Sequence, residues 1–127
     1  MSVMDEISAL LEEKKALFEQ YEELTRQMQI CPAEELPSYT DKRGHLAQKI
    51  DKMDEKIYSL AQAQGEEWAA NFENAIRLKC RRSQLPEEFH PLFDTAQVFF
   101  GIGNRIREKE LMIVERMEEE QIGRAHV

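Results

Sequence analysis

Val3-Met4-Asp5-Glu6-Ile7-Ser8-Ala9-Leu10-Leu11-Glu12-Glu13-Lys14-Lys15-Ala16-Leu17-Phe18-Glu19-Gln20-Tyr21-Glu22-Glu23-Leu24-Thr25-Arg26-Gln27-Met28 decides the fold. Val3, Ile7, Leu10, Leu17, Tyr21, Leu24 and Met28 recur at steps of four and three, with Lys14 as the one polar occupant of the row. That spacing winds a single apolar stripe along an α-helix and makes a heptad seam. Leu11 and Phe18 widen the stripe on one flank, so the helix is expected to touch two neighbours. The intervening Glu, Lys, Gln and Arg residues are good helix formers. A helix is predicted over residues 3–30, ended by Cys31-Pro32, because a residue before proline is biased away from helical angles.

Pro37 is expected to block a second helix in the same way, leaving Ala33 to Leu36 as one short turn. Ser38-Tyr39-Thr40-Asp41 has the form of a capping box with Ser38 as N-cap. Tyr39, Leu46, Ile50, Met53, Ile57 and Leu60 then keep the heptad, and Arg43 takes its polar slot. A connector this short predicts that the first two helices are antiparallel neighbours. After Gly65 the apolar set Trp68, Phe72, Ile76 and Cys80 is offset from the preceding seam. The flanking residues are helix-friendly, so the second helix is expected to continue through Gly65 with a kink. Residues 83–91 read as a loop containing Pro86 and Pro91.

The last helix is expected to start near Pro91, which suits a first turn. Leu92, Ala96, Phe99, Gly103, Ile106, Ile113 and Met117 mark one face. Phe93, Val98, Phe100 and Ile102 add apolar groups on other faces, more than one hairpin needs. Gly101 and Gly103 permit close approach by another backbone there. The expected architecture is all-α: a long antiparallel, coiled-coil-like hairpin with an additional C-terminal helix, three to four helices in one domain over residues 1–121. The helices fall at about 3–30, 38–64, 66–82 and 91–121. Residues 122–127, Ile-Gly-Arg-Ala-His-Val, match one reading frame of a sequencing-library adapter and read as a non-native tail.

Composition narrows the function. The 127 residues are 33% charged and 8% aromatic, with a formal net charge of −8. Such a surface repels nucleic acid and anionic lipid, so neither is an expected partner. The basic group Arg77, Lys79, Arg81 and Arg82 reads as a cationic helix C-terminus that complements the helix dipole. No apolar run approaches the roughly 20 residues that span a bilayer, and no secretory signal opens the chain, which predicts a cytoplasmic protein without membrane insertion. Cys31 and Cys80 lie far apart without CxxC partners, and are expected to be free thiols that are buried or half-buried. His45, His90 and His126 share no metal-ligand spacing. No cofactor is implied, and no nucleophile elbow or phosphate loop is present; Gly101-Ile102-Gly103 follows no strand and lacks a third glycine. The chain is therefore not expected to be an enzyme.

Leu46-x-x-Lys49-Ile50-Asp51-x-Met53-Asp54-x-x-Ile57-x-x-Leu60 resembles the first-helix signature of the helical chorismate mutases. The arginines that would bind substrate carboxylates there are replaced by Ala47 and, near the second position, Gln64. The likeness is heptad mimicry, and a degenerate mutase-like enzyme is the least favoured alternative.

Two pieces of sequence and one helix carry a broader resemblance. They are Leu10-Leu11-Glu12-Glu13-Lys14-Lys15-Ala16-Leu17-Phe18 running into Tyr21-Glu22-Glu23-Leu24-Thr25; Asp41-Lys42-Arg43-Gly44-His45-Leu46-Ala47-Gln48-Lys49-Ile50-Asp51-Lys52-Met53-Asp54; and a final helix with Ile102, Ile106, Ile113 and Met117 at heptad spacing. In this order they resemble the FlgN/FliT-like flagellar export chaperones. The resemblance implies a small cytoplasmic chaperone that holds an amphipathic helix of a hook-associated or cap protein and delivers it to a type III secretion gate. Recognition would be helix-in-groove, with a client helix replacing a self-contact of a possible homodimer. Candidate partner-binding residues are Phe93, Phe99, Phe100, Ile102 and Ile106. The alternative is a structural coiled-coil adaptor with a constitutive partner.

Overall fold

The heptad seams become packing faces in the computed structural model, which describes residues 2–125, with side chains through residue 120. Among the described residues there are four α-helices and no strand: α1 (Val3–Ile30), α2 (Leu36–Gln62), α3 (Glu66–Ile76) and α4 (His90–Ala125). Single 3₁₀ turns occupy Ala33–Glu35, Arg82–Gln84 and Glu87–Phe89. Residues 122–127, read from sequence as a non-native tail, lie outside the residues whose side chains are described.

α1 has the predicted bounds. A cap invisible to the heptad reading opens it: the Asp5 N–H donates to Ser2 Oγ at 3.1 Å, and the Ser2 N–H donates to the Asp5 carboxylate at 3.4 Å. Cys31 ends it in extended conformation, as its proline neighbour requires.

α2 starts two residues earlier than predicted. Pro37 lies inside its first turn and does not block it, because the N–H that proline lacks has no intrahelical partner there. Leu36, buried, is helical, and Thr40 Oγ1 donates back to the Leu36 carbonyl at 3.0 Å. Glu35, not Ser38, occupies the cap position, so the expected Ser38 capping box is corrected.

The expected continuation through Gly65 is also corrected. α2 stops at Gln62, and Gly65 takes a φ of 101°, a left-handed value that breaks the hydrogen-bond ladder. The Ala69 N–H then donates to the Gly65 carbonyl at 3.0 Å and starts α3. α3 itself ends at Ile76, short of the predicted residue 82. Leu78 adopts a φ of 53°, and the Lys79 N–H turns back to the Asn74 carbonyl at 2.9 Å. A non-glycine residue in this region is strained by about 1–2 kcal/mol. The Leu78 side chain packs on the main core, which offsets that strain. The basic group therefore follows the end of α3: Arg77 and Lys79 pair with Glu73, and Arg82 pairs with Asp94 of α4.

α1 packs along both α2 and α4, as its wide stripe predicted. Lys14 meets Asp54 at 2.6 Å, while Tyr21 of α1 meets Arg43 of α2, so the first two helices run antiparallel. α3 folds back against α4 and, more lightly, α2. The main core gathers where these ends meet, around Ile7, Leu11, Ile57, Phe72, Phe89 and Leu92, all nearly without exposure. Trp68 lies edge-on to Phe89 at 5.0 Å and stacked on Phe72 at 6.0 Å. Each such buried apolar side chain stabilises by roughly 1.5–3 kcal/mol. A smaller cluster of Met28, Cys31, Leu36 and Ile113 closes the other end. Cys31 is buried and Cys80 half-buried, and no disulfide joins them.

Candidate partner-binding groove

The two polar residues in the heptad rows have specific tasks. Lys14 pairs with Asp54 of α2 and places its ammonium 5.5 Å from the Phe18 ring centroid and 5.1 Å from that of Phe99 on α4. Phe18 and Phe99 meet edge to face at 5.4 Å. Arg43 projects from α2, stacks 4.4 Å above the Tyr21 ring, and donates to the Tyr21 hydroxyl. Its Nη2 also reaches Glu110 of α4 at 2.6 Å, and Nη1 lies 3.4 Å from the Met28 sulfur. Its Nε–H is buried without a partner among the described residues.

Between these two cross-links lie adjoining hollows. One, of about 320 Å³, has Phe18 and Tyr21 of α1 beneath it, Ala47, Ile50 and Asp51 on the α2 side, and Gly103, Ile106, Arg107 and Glu110 on the α4 side. The other, of about 490 Å³, shares Phe18, Gly103 and Arg107 with the first, and extends past Phe99 and Phe100 to Leu78. Together they form a groove floored by α1 and walled along one side by α4. Along α4 it runs from Ala96 to Glu110, roughly 20 Å at the helical rise. A Cβ added at Gly103 would meet only the Arg107 guanidinium, at 3.7 Å, so open space stands over that backbone.

Ion pairs fasten the α4 wall to α1. Glu22 accepts from Arg105 Nε at 2.8 Å and Nη2 at 3.2 Å, and from Lys109 at 3.1 Å. The Arg105 hydrogen bonds foremost, with Lys109 adding, hold the Glu22 carboxyl below the usual range against the opposing effect of its burial. Further along, Arg116 donates to the Met28 carbonyl at 2.9 Å and to the Cys31 carbonyl, satisfying acceptors that the end of α1 leaves open.

The five residues proposed from sequence divide sharply. Phe93, Ile102 and Ile106 are 8%, 3% and 5% exposed and belong to the protein's own packing, although Ile106 also reaches the groove. Their burial follows because α4 turns those faces toward its neighbours. Phe99 is half-buried against Phe18, and Phe100 keeps 59% of its surface exposed; both line the groove. Sequence reasoning missed the floor residues Phe18 and Tyr21 and the wall residues Ala47, Asp51 and Arg107. Phe18 was legible as a seam-widening residue, whereas Arg107 carries no local signal.

A larger cleft of about 650 Å³ opens between α2 and α3 beside Tyr58, Phe72 and Arg77. Arg77 is held above its usual pKa there by Tyr58 foremost and by Glu73. Its other walls are mostly alanine, glycine and carboxylates, without a nucleophile paired to a base. Ala47 lines the groove, and the Gln64 amide donates to the Leu60 carbonyl at 3.3 Å, so neither the first position that a mutase would fill with arginine nor the residue near the second brings a guanidinium. Among the described residues no cluster of metal-ligating side chains occurs, and no helix is long and apolar enough to cross a membrane. No family model, curated protein or solved structure matches this chain.

Proposed function

We propose that the chain is a helical protein-binding module that seats one amphipathic helix of a protein client in the groove floored by α1. The observation that carries this reading is the open groove itself: aromatic below, lacking a side chain at Gly103, and flanked by the exposed Phe100 ring. A helix placed there would bury its apolar stripe on Phe18, Phe99 and Phe100 and complete a four-helix arrangement. Asp51, Arg107 and Glu110 at the edges supply charges of both signs to set its orientation.

The resemblance to flagellar export chaperones supplies the client class. On that reading the occupant is the terminal amphipathic helix of a hook-associated or cap protein, held in the cytoplasm before secretion. Binding is reversible, because the bundle already has its own core at both ends of the groove and folds without the client.

Fluorescence anisotropy tests this with labelled peptides from the terminal helices of hook-associated and cap proteins. Gly103→Trp should fill the hollow and weaken binding at least tenfold with unchanged far-UV circular dichroism, and Phe100→Ala should weaken it less. Equal binding by the Gly103→Trp protein removes the groove from the mechanism. Failure of every such peptide to bind the wild-type chain removes the export reading.

A further inference from the structure

α4 carries two heptad rows. The first, through Phe99, Ile106 and Ile113, packs within the chain. The second runs Phe100, Asn104, Arg107, Leu111, Val114 and Glu118 at steps of four, three, four, three and four. Leu111 is 65% and Val114 51% exposed, although both are apolar and sit mid-helix. Arg107 bonds only to the Asn104 amide, and neither Arg107 nor Glu118 has an ion-pair partner among the described residues. Leu111 and Val114 do not line the groove hollows.

We infer that this second row pairs antiparallel with the same row of a second copy, about a two-fold axis passing between Met112 and Ile113. The occupant is read from the row's own symmetry. In an antiparallel pair centred there, Leu111 meets Val114 of the other copy, and Arg107 meets its Glu118. The apolar contact and the ion pair then each form twice, once on each side of the axis. In a parallel pair in register each charge would face its own kind, Arg107 on Arg107 and Glu118 on Glu118, which disfavours that arrangement. The apolar contact is short, so the dimer is weak and exchanges; Phe100 and Arg107 of this row also border the groove, whereas Leu111 and Val114, at the centre of the pair, do not.

Sedimentation equilibrium over a concentration series is the test, with circular dichroism to verify folding; every changed residue is exposed. The wild-type chain should associate to a dimer. Arg107→Glu and Glu118→Arg, each alone, should weaken association roughly tenfold, since each replaces two attractions with two repulsions. The double variant should restore wild-type association, and Leu111→Lys should abolish it. A wild-type chain that stays monomeric overturns the proposal. A dimer indifferent to the single reversals, or not restored by the double variant, overturns the face and the antiparallel register. Peptide capture by the Leu111→Lys protein separates this result from the groove reading, because the dimer can fail while capture persists.

Discussion

Arg43 reaches Glu110 at 2.6 Å while lying over the Tyr21 ring, so one α2 side chain bonds to both α1 and α4. The contact is 16% exposed on the arginine side and 40% on the glutamate side. Arg43→Ala strands the Tyr21 hydroxyl and Glu110 and empties the space filled by the arginine stem. It should destabilise by about 1–3 kcal/mol in urea unfolding. Glu110→Gln keeps the shape and leaves Arg43 its tyrosine, so about 1 kcal/mol or less is expected. Equal effects would mean that the charge pair, and not the three-helix junction, is what matters.

Arg116 acts as the C-terminal cap of a helix far away in sequence. Arg116→Ala should destabilise by about 1–2 kcal/mol and speed hydrogen exchange in the last turn of α1. Arg116→Lys should fall between, because an ammonium lacks the planar fork that meets two carbonyls at once. Unchanged exchange in both variants would show that water serves these carbonyls equally well.

The Glu22 cluster sets an acid-side dependence. Its carboxyl is held below the usual range in the folded chain, so its contribution is present above the unfolded pKa. It is lost as pH falls through the lower, folded value. Urea midpoints of wild type and Glu22→Gln should therefore differ at neutral pH and converge as the solution is acidified through and below the ordinary carboxylate range. Added salt should shrink the neutral-pH difference. A gap independent of pH would place the Glu22 effect in packing.

Gly65 offers the simplest test of the break between α2 and α3. A Cβ there meets nothing within 4 Å, but the backbone has a φ of 101°. Gly65→Ala should cost about 1–2 kcal/mol through conformation alone, whereas Gly44→Ala, inside α2 and equally open, should stabilise by a few tenths to about 1 kcal/mol. The same sign at both positions would mean that the chain prefers the continuous helix.

The apolar steps of four and three determined the fold class, Cys31-Pro32 the end of α1, and the short connector the antiparallel partnership of α1 with α2, because those properties depend on neighbours along the chain. The exceptions in the rows, Lys14 and Arg43, were legible as positions, and their partners Asp54 and Glu110 were not. Such partners are 40 and 67 residues away and meet only when helices pack. The early start of α2 and the early end of α3 escaped for a related reason: packing of buried Leu36 and half-buried Leu78 on the two core clusters outweighs local preferences at those turns.

For the candidate site, the sequence by itself determined that α4 holds surplus apolar surface and that its glycines leave room. Only the tertiary structure decided how that surface divides: Phe93, Ile102 and Ile106 inward, Phe99 and Phe100 along a groove with Phe18 beneath, and Leu111 and Val114 outward. A heptad pattern specifies which residues share a helix face. Which face meets α1, which borders the groove and which stays open depends on the helices packed around α4, a non-local outcome that periodicity along one helix does not contain.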